Sequence, residues 1–349
     1  MEVTFITYAG RNGYGGIAKY CDNFILGLNQ IKNIRKVYVF SRVRMGDNRK
    51  VINYFFKNKF IFFLITNLNF FVLSKTKIIF VSHINLLPCA LLALFLGKKV
   101  VLLNYGLEIW GVNANSINKF LLKKIKYFIC MREYTKKILI KKYSLKNKFF
   151  FLLPNFIKYK KNKVKNNKKK NIVSVARLDR EEKYKGVDET LESIKLLKKI
   201  DFIYYVIGDG SDKKRLIEKT KNLGLEKKVI FLGKISDKKR DYIFGKSHIL
   251  SMPGSDRTFD TYPARFVFLE AALYGLKIIA TKPPNNEIRY YRKYKSISFV
   301  NPNKKIEISK KIRKLQIDKK FIDKKFLLDF SISKFNSKIK NIVEDVIIK

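Results

Sequence analysis

The tightest constraint on this chain is a rhythm that runs, breaks and restarts. Short apolar runs alternate with helix-length amphipathic stretches until KYKKNKVKNNKKK at 158–170, and the alternation resumes with NIVSVA at 171–176. Apolar runs of strand length separated by helices are the mark of α/β layers with a parallel sheet. The break has almost nothing to bury, so it reads as a linker or an exposed crossover. Strands are expected at 2–8, 36–41, 78–81 and 99–104, with helices near 17–30, 60–74, 86–96 and 117–124. A further apolar run, FFFLLPN, ends at Pro154 and Asn155. After the break, strands at 171–176, 202–207, 228–232, 248–252 and 277–280 alternate with helices near 186–199, 212–223, 236–244 and 265–274. The late stretch FLLDFSISKFNSKIKNIVEDVI reads as helix with an apolar stripe. With 349 residues, the chain is long for one core and suits two domains of similar size, 1–160 and 170–330, followed by 331–349.

The first strand runs into a cluster of glycines, Gly10, Gly13, Gly15 and Gly16, just before a helix. Backbone N–H groups at a helix start, with no side chain in the way, suit a phosphate. NGYGG is neither a Walker loop nor a dinucleotide fingerprint, and a plain tight turn explains it equally well. No acidic residue stands at the end of a second strand to hold a nicotinamide ribose, which weighs against an oxidoreductase. In ARLDREEKYKG, Arg177 ends a strand and Lys185 begins the following helix, although each alone would pass for a surface charge. Glu270 lies inside the apolar run FVFLEAAL, where a charge needs a partner. The two hydroxyls of a ribose would serve, and so would a lysine.

Charge is the anomaly of composition: 75 Lys plus Arg against 28 Asp plus Glu, formally +47. That excess favours anionic partners, whether nucleic acid, an acidic membrane surface or phosphorylated small molecules. An AT-rich coding bias would give the same lysines. The aromatics follow strand and helix burial and form no stacking platform among the cations, so no specific nucleic acid is expected. Cys21, Cys89 and Cys130 are unpatterned, which suits a reducing compartment; with two histidines and no CxxC, no metal site is expected. Met1 leads straight into a strand, so no secretory leader is expected. FIFFLITNLNFFVLS at 60–74 is too short for a clear membrane span and suits a buried helix or one lying on a membrane. The expected location is cytoplasmic, peripheral on the cytoplasmic face of the inner membrane.

In order along the chain, GYGG (13–16), HINLLPCALLALFLGKKVVLLNYGLEIW (83–110), MREYTKK (131–137), LPN (153–155), ARLDREEKYKG, YYVIGDGSDKKRL (204–216), KVIFLGKISD (228–237) and FVFLEAALYGLKIIA (266–280) resemble retaining GT-B glycosyltransferases of the family 4 type. That family includes bacterial lipopolysaccharide, capsule and mannosyl transferases. The resemblance spans nearly the whole chain. It implies two Rossmann-like domains facing across a cleft, an N-terminal acceptor side and a C-terminal nucleotide-sugar side, with 331–349 crossing back to the first domain. It implies a UDP-, GDP- or ADP-sugar as donor substrate, a glycan or lipid-linked acceptor, and neither metal nor other cofactor. Gly15 and Gly16 would approach the donor's diphosphate and sugar, Arg177 and Lys185 would neutralise the diphosphate, and Glu270 would bind the ribose. Gly208, Gly210 and Gly233 would line the base pocket, with Ser255 at its far edge.

Two departures stand out. Where relatives carry His-Gly-x-Glu or Asp, this chain has Tyr105, Gly106, Leu107 and Glu108. Tyr105 donates a hydrogen bond but is not the same base. The first of the family's two glutamates, eight positions before Glu270, is Tyr262, with Asp260 as the nearby substitute. The resemblance thus implies hexose transfer with retention. The alternatives are a catalytically degenerate GT-B binding protein, a basic nucleic-acid-binding protein, or an epimerase or phosphorylase of the same layout.

Overall fold

A computed structural model describes residues 1–8, 16–43, 50–73, 75–110, 114–158, 170–197, 200–254, 265–283 and 285–349. The chain divides into two compact units, Met1–Phe156 with Ile332–Lys349, and Ile157–Ser331. The division falls just before the lysine-rich stretch, most of which lies outside the described residues.

The first unit begins with β1 (Glu2–Thr7), α1 (Gly16–Asn29), β2 (Lys36–Ser41), β3 (Val51–Phe55), α2 (Lys59–Val72) and β4 (Thr76–Val81). A 3-10 segment (Ile84–Ala90), α3 (Leu91–Phe95), β5 (Lys99–Asn104), α4 (Leu107–Trp110) and α5 (Ser116–Lys124) follow. It continues through β6 (Tyr127–Cys130), α6 (Glu133–Tyr143) and β7 (Phe149–Leu152). Among the described residues the sheet has seven strands in the order β3-β2-β1-β4-β5-β6-β7. Phe5 pairs in parallel with Val39 on one side and Phe80 on the other, and the inner strands are buried along almost their whole length. Continuous apolar strands are what a parallel sheet covered on both faces requires.

The second unit starts with β8 (Asn171–Val175), a 3-10 segment (Arg180–Lys185), α7 (Val187–Lys195), β9 (Tyr204–Ile207), α8 (Lys213–Asn222) and β10 (Val229–Gly233). Then come α9 (Asp237–Lys246), β11 (Ser247–Met252), α10 (Phe266–Leu273), β12 (Lys277–Thr281), α11 (Asn285–Tyr291) and β13 (Ile297–Val300). Two helices, α12 (Lys305–Ile317) and α13 (Lys324–Asp329), close it. Its sheet runs β10-β9-β8-β11-β12-β13, all parallel. Both sheets therefore reverse winding direction once, between β1 and β4 and between β8 and β11. In such sheets ligands gather outside the carboxyl ends of the two strands at that switch.

Two expectations need correction. The stretch 86–96 is not one helix: it splits into the 3-10 segment and α3, because Pro88 inside it has no N–H to donate. The Asn67 carboxamide oxygen instead accepts from Leu92 N at 3.0 Å. The late stretch is not one helix either. It breaks around Ser331 into α13, in the second unit, and α14 (Ile332–Ile348), in the first. The stripe of α14, with Phe335, Ile339, Ile342, Val343 and Val346 buried, packs on α1. Gly27 lies at the contact, where the Ile339 side chain would have to shift to admit a Cβ. Lys99 Nζ closes the helix end by donating to the Val346 and Ile347 carbonyls at 2.7 and 2.8 Å.

Candidate active site

At the carboxyl end of β8 the chain turns through Arg177 into the 3-10 segment, which folds Glu182 back between two cations. Arg177 Nη2 lies 2.5 Å from Glu182 Oε1, and Lys185 Nζ lies 3.8 Å from Glu182 Oε2. Asp179 adds a carboxylate 3.7 Å from Arg177 Nε. The Arg177 side chain is 68% exposed and that of Lys185 15%, so one cation reaches solvent while the other is tucked beneath it. An ion pair this exposed is worth little, which leaves Arg177 ready to exchange its carboxylate for another anion.

Gly186 places this turn against the neighbouring strand. At φ 88° its backbone presses on Pro253 and Gly254, at the end of β11, where a Cβ would come within 2.7 Å. Only glycine takes that conformation without strain. Thr190, fully buried, donates to the Gly186 carbonyl at 2.7 Å and meets the Ser251 hydroxyl at 2.9 Å. The Arg177–Lys185 turn is thereby fixed at the switch between β8 and β11.

The GDG turn supports the same loop. At φ 131° Gly208 packs so closely that a Cβ would overlap the Ala176 carbonyl, and at Gly210 one would overlap that of Leu178. Leu178 N donates to Asp209 O at 3.0 Å, Asp212 N to Leu178 O at 2.7 Å, and Gly208 N to Gly233 O at 2.9 Å. Gly208 and Gly210 thus have a packing reason of their own, next to Arg177, while Gly233 holds a positive φ of 64°. Glu270, on α10, has the charge partner its sequence context demands: Arg240 of α9, whose Nη2 is 3.6 Å away. Arg240 and Glu182 went unrecognised in the sequence, since each acts through a contact the residue order does not reveal.

In the first unit, Tyr105 and Glu108 stand just beyond β5. The Tyr105 hydroxyl meets Cys21 Sγ at 3.3 Å, and its ring sits edge-on to Tyr20 with centroids 5.4 Å apart. Burial, then the nearby Cys21, pushes the phenol well above its usual range, so Tyr105 stays protonated. Glu108 turns onto its own loop: it accepts from Tyr105 N at 2.5 Å and from Gly106 N at 3.0 and 3.1 Å. Burial raises its pKa, and those amides partly offset the rise. Gly16 opens α1. Gly15, Ser255, Asp260 and Tyr262 lie outside the described residues.

His83, just past the carboxyl end of β4, stands beside the switch between β1 and β4. Its Nδ1 accepts from Asn85 N at 3.1 Å, which leaves the proton on Nε2, and burial lowers its pKa. Tyr8 lies against it, ring centroids 5.9 Å apart. A histidine just past a strand's carboxyl end is the signal that marks it. Among the described residues no group of three or more His, Cys, Asp and Glu is placed to hold a metal ion.

Residues 155–325 match the family model of glycosyl transferases group 1. No curated protein sequence matches the chain. Solved structures do match it in fold. The lipopolysaccharide outer core galactosyltransferase WaaB, in apo form, aligns at 17% identity over 99% of both chains with a TM-score of 0.72. Anabaena Alr3699/HepE in complex with UDP aligns at 14% identity over 99% of this chain and 100% of its own, TM-score 0.74, and is also solved with UDP-glucose. A glycosyltransferase from Rickettsia africae aligns at 17% identity over 99% of both chains, TM-score 0.73. Residues 155–325 thus match the glycosyl transferases group 1 family, in a chain that has the fold of GT-B glycosyltransferases.

Proposed function

We propose that the protein transfers a hexose from a nucleotide-sugar donor to a glycan or lipid-linked acceptor with retention of anomeric configuration, in surface polysaccharide synthesis at the cytoplasmic face of a membrane. The observation that carries the reading is the Arg177–Lys185 pair, held at the switch point of the second sheet inside the group 1 domain. As the bond between anomeric carbon and diphosphate breaks, negative charge grows on the departing phosphate. Lys185, held in the turn, and Arg177, on exchanging Glu182 for the phosphate, stabilise that charge. The acceptor hydroxyl attacks the anomeric carbon from the face the diphosphate leaves, and its proton passes to the departing phosphate oxygen. Products are the glycosylated acceptor and a nucleoside diphosphate.

Glu270 is assigned to the ribose, with Arg240 beside its carboxylate at 3.6 Å. Gly208, Gly210 and Gly233 are assigned to the base side, Gly16 to the diphosphate and sugar, and Gly15 to the same place on the resemblance alone. Ser255, Asp260 and Tyr262 are assigned to the donor on the resemblance alone. Tyr105, protonated by burial, serves as a donor rather than a base, and Glu108 shapes the loop that carries it. The UDP and UDP-glucose complexes of the Anabaena protein make UDP-sugars the first donors to try, and the outer-core role of WaaB supports a surface-glycan acceptor.

A second reading, a nucleotide-sugar-binding protein without transfer, is favoured by the ties of Tyr105 to Cys21 and of Glu108 to its own turn. One experiment separates the two: a panel of UDP-, GDP- and ADP-sugars with EDTA present, the product's anomeric configuration assigned by NMR. A retained linkage supports transfer as proposed. An inverted linkage refutes retention, and nucleotide binding with no product from any donor favours the second reading.

A further inference from the structure

On the surface of the first unit, α2 presents an outer face with no charged group. Its core side carries Phe62, Thr66 and Phe70, spaced four apart, and the Asn58 side chain caps its start by accepting from Phe60 N and Ile61 N. The exposed positions beyond Lys59 are Phe60, Ile61, Leu64, Leu68, Phe71 and Val72, every one a large apolar residue. Phe60, Phe71 and Val72 are 70%, 61% and 78% exposed. A helix that is apolar all round belongs in a core or against lipid, and α2 has a core on one side only.

The face continues onto α3. Asn67 on α2 donates to Pro88 O at 3.1 Å and accepts from Leu92 N at 3.0 Å, which binds the two helices together. Lys98 Nζ, just past α3, donates to Leu73 O at 3.3 Å and so brings both helix ends to one place. Phe95 there is 76% exposed, with Leu96 beside it.

The surroundings are mainly basic, with Glu2, paired beside Thr76 on the neighbouring strand, as an acidic exception. From residue 48 to residue 107 there is no Asp or Glu. Lys57, Lys59, Lys75 and Lys77, at the two ends of α2, are all exposed. A second copy of this chain seated on the face would set these lysines against their own equivalents with little counter-charge. Anionic headgroups supply that counter-charge, and the acyl boundary takes the phenylalanines. At 14 residues α2 is about 21 Å long, too short to cross a bilayer but suited to lying along one. Among the described residues no helix is long and apolar enough to span a membrane.

We propose that the α2–α3 face docks the protein on an anionic bilayer, α2 lying in the plane of the interface with Phe60, Phe71 and Phe95 inserted and the four lysines at the headgroups. The proposal rests on the membrane location read above and names the surface responsible.

Flotation tests it, using the full chain with vesicles of pure phosphatidylcholine and of equimolar phosphatidylcholine and phosphatidylglycerol, alongside a UDP titration of each preparation. The wild type is expected to float with the anionic vesicles only. Phe71→Glu combined with Phe95→Glu is expected to lower that partitioning roughly a hundredfold, the loss of two inserted aromatic rings, with UDP affinity unchanged. Replacing the four lysines by Gln should abolish the preference for anionic lipid. No flotation by the wild type, or flotation of the Glu variant equal to it, overturns the proposal. A lipid-free dimer that the Glu variant dissociates, without flotation, overturns it as well and gives the face to a second copy. A chain that floats but binds no nucleotide would instead overturn the functional reading and leave the surface standing.

Discussion

At the carboxyl edge of the second sheet the candidate residues are charged and mutually paired: Arg177 and Lys185 share Glu182, and Glu270 faces Arg240. At the carboxyl edge of the first sheet they are neutral or turned inward: Tyr105 on Cys21, His83 on its own turn, Glu108 on two backbone amides. The same topology serves both units, with one switch point each, yet the chemistry differs. The second edge is suited to a ligand that carries and gains charge. The first is suited to one that offers hydroxyls and a neutral surface. Fold supplies the location, and the side chains decide what is bound there.

The largest test of that contrast is to remove the cations. Arg177→Ala or Lys185→Ala should each cost about 2–5 kcal/mol in kcat/KM, the range for a phosphate contact stronger in the transition state than before it. Steady-state kinetics beside UDP calorimetry would show it. A loss confined to less than threefold in both variants would break the comparison.

A second test uses acid, since the second unit buries two groups whose titrations oppose each other. His248 is held down to about 4 by burial first and Lys170 next, so the unfolded chain binds the extra proton between that value and 6.5. Stability from this group is therefore lost as the pH falls through that window. Burial, together with the Asp188 and Glu192 charges, pushes Glu189 up to about 7 from 4.5, so here the folded chain binds the extra proton. Its contribution rises as the pH falls from 7 to 4.5. The two offset each other in the wild type. Glu189→Gln should uncover the histidine, losing on the order of 3 kcal/mol between pH 6.5 and 4 relative to wild type, measured by urea unfolding along a pH series. A variant with the acid response of the wild type would show that the offset is absent.

The smallest effect is expected on the neutral edge. Tyr105→Phe removes a hydroxyl–thiol contact and should cost about 1 kcal/mol of stability, with less than a tenfold fall in turnover. A loss larger than that of Arg177→Ala would reverse the assignment and make the phenol part of the chemistry.

What was legible in the sequence follows burial. Inner strands such as β4, β5, β11 and β12 are covered on both faces, so their apolar runs stand out. β3, an edge strand of half-exposed residues reading VINYF, and β13 at the other sheet's edge give no such signal, and β6, buried but only four residues long (YFIC), is too short for its run to stand out. Arg177, Lys185 and Glu270 were legible as charges set against strand ends or in an apolar helix. Their partners were not. Glu182 looks like any acid in a polar run, Arg240 stands on a different helix from Glu270, and Cys21 is far from Tyr105 along the chain. Gly186 was not singled out either, because its need for a positive φ arises only where it meets Pro253 and Gly254.

The packing of α14 on α1 has a consequence for how the protein is made. Residues 332–349 complete the first unit but leave the ribosome after every residue of the second. The usual order, amino-terminal domain first, is therefore reversed at the last step. Ile157–Ser331 has all its strands in hand while the nascent first unit still exposes the apolar flank of α1 around Gly27. During that interval the growing chain shows a hydrophobic groove that the finished protein lacks, and the cell's holding chaperones have their opportunity there.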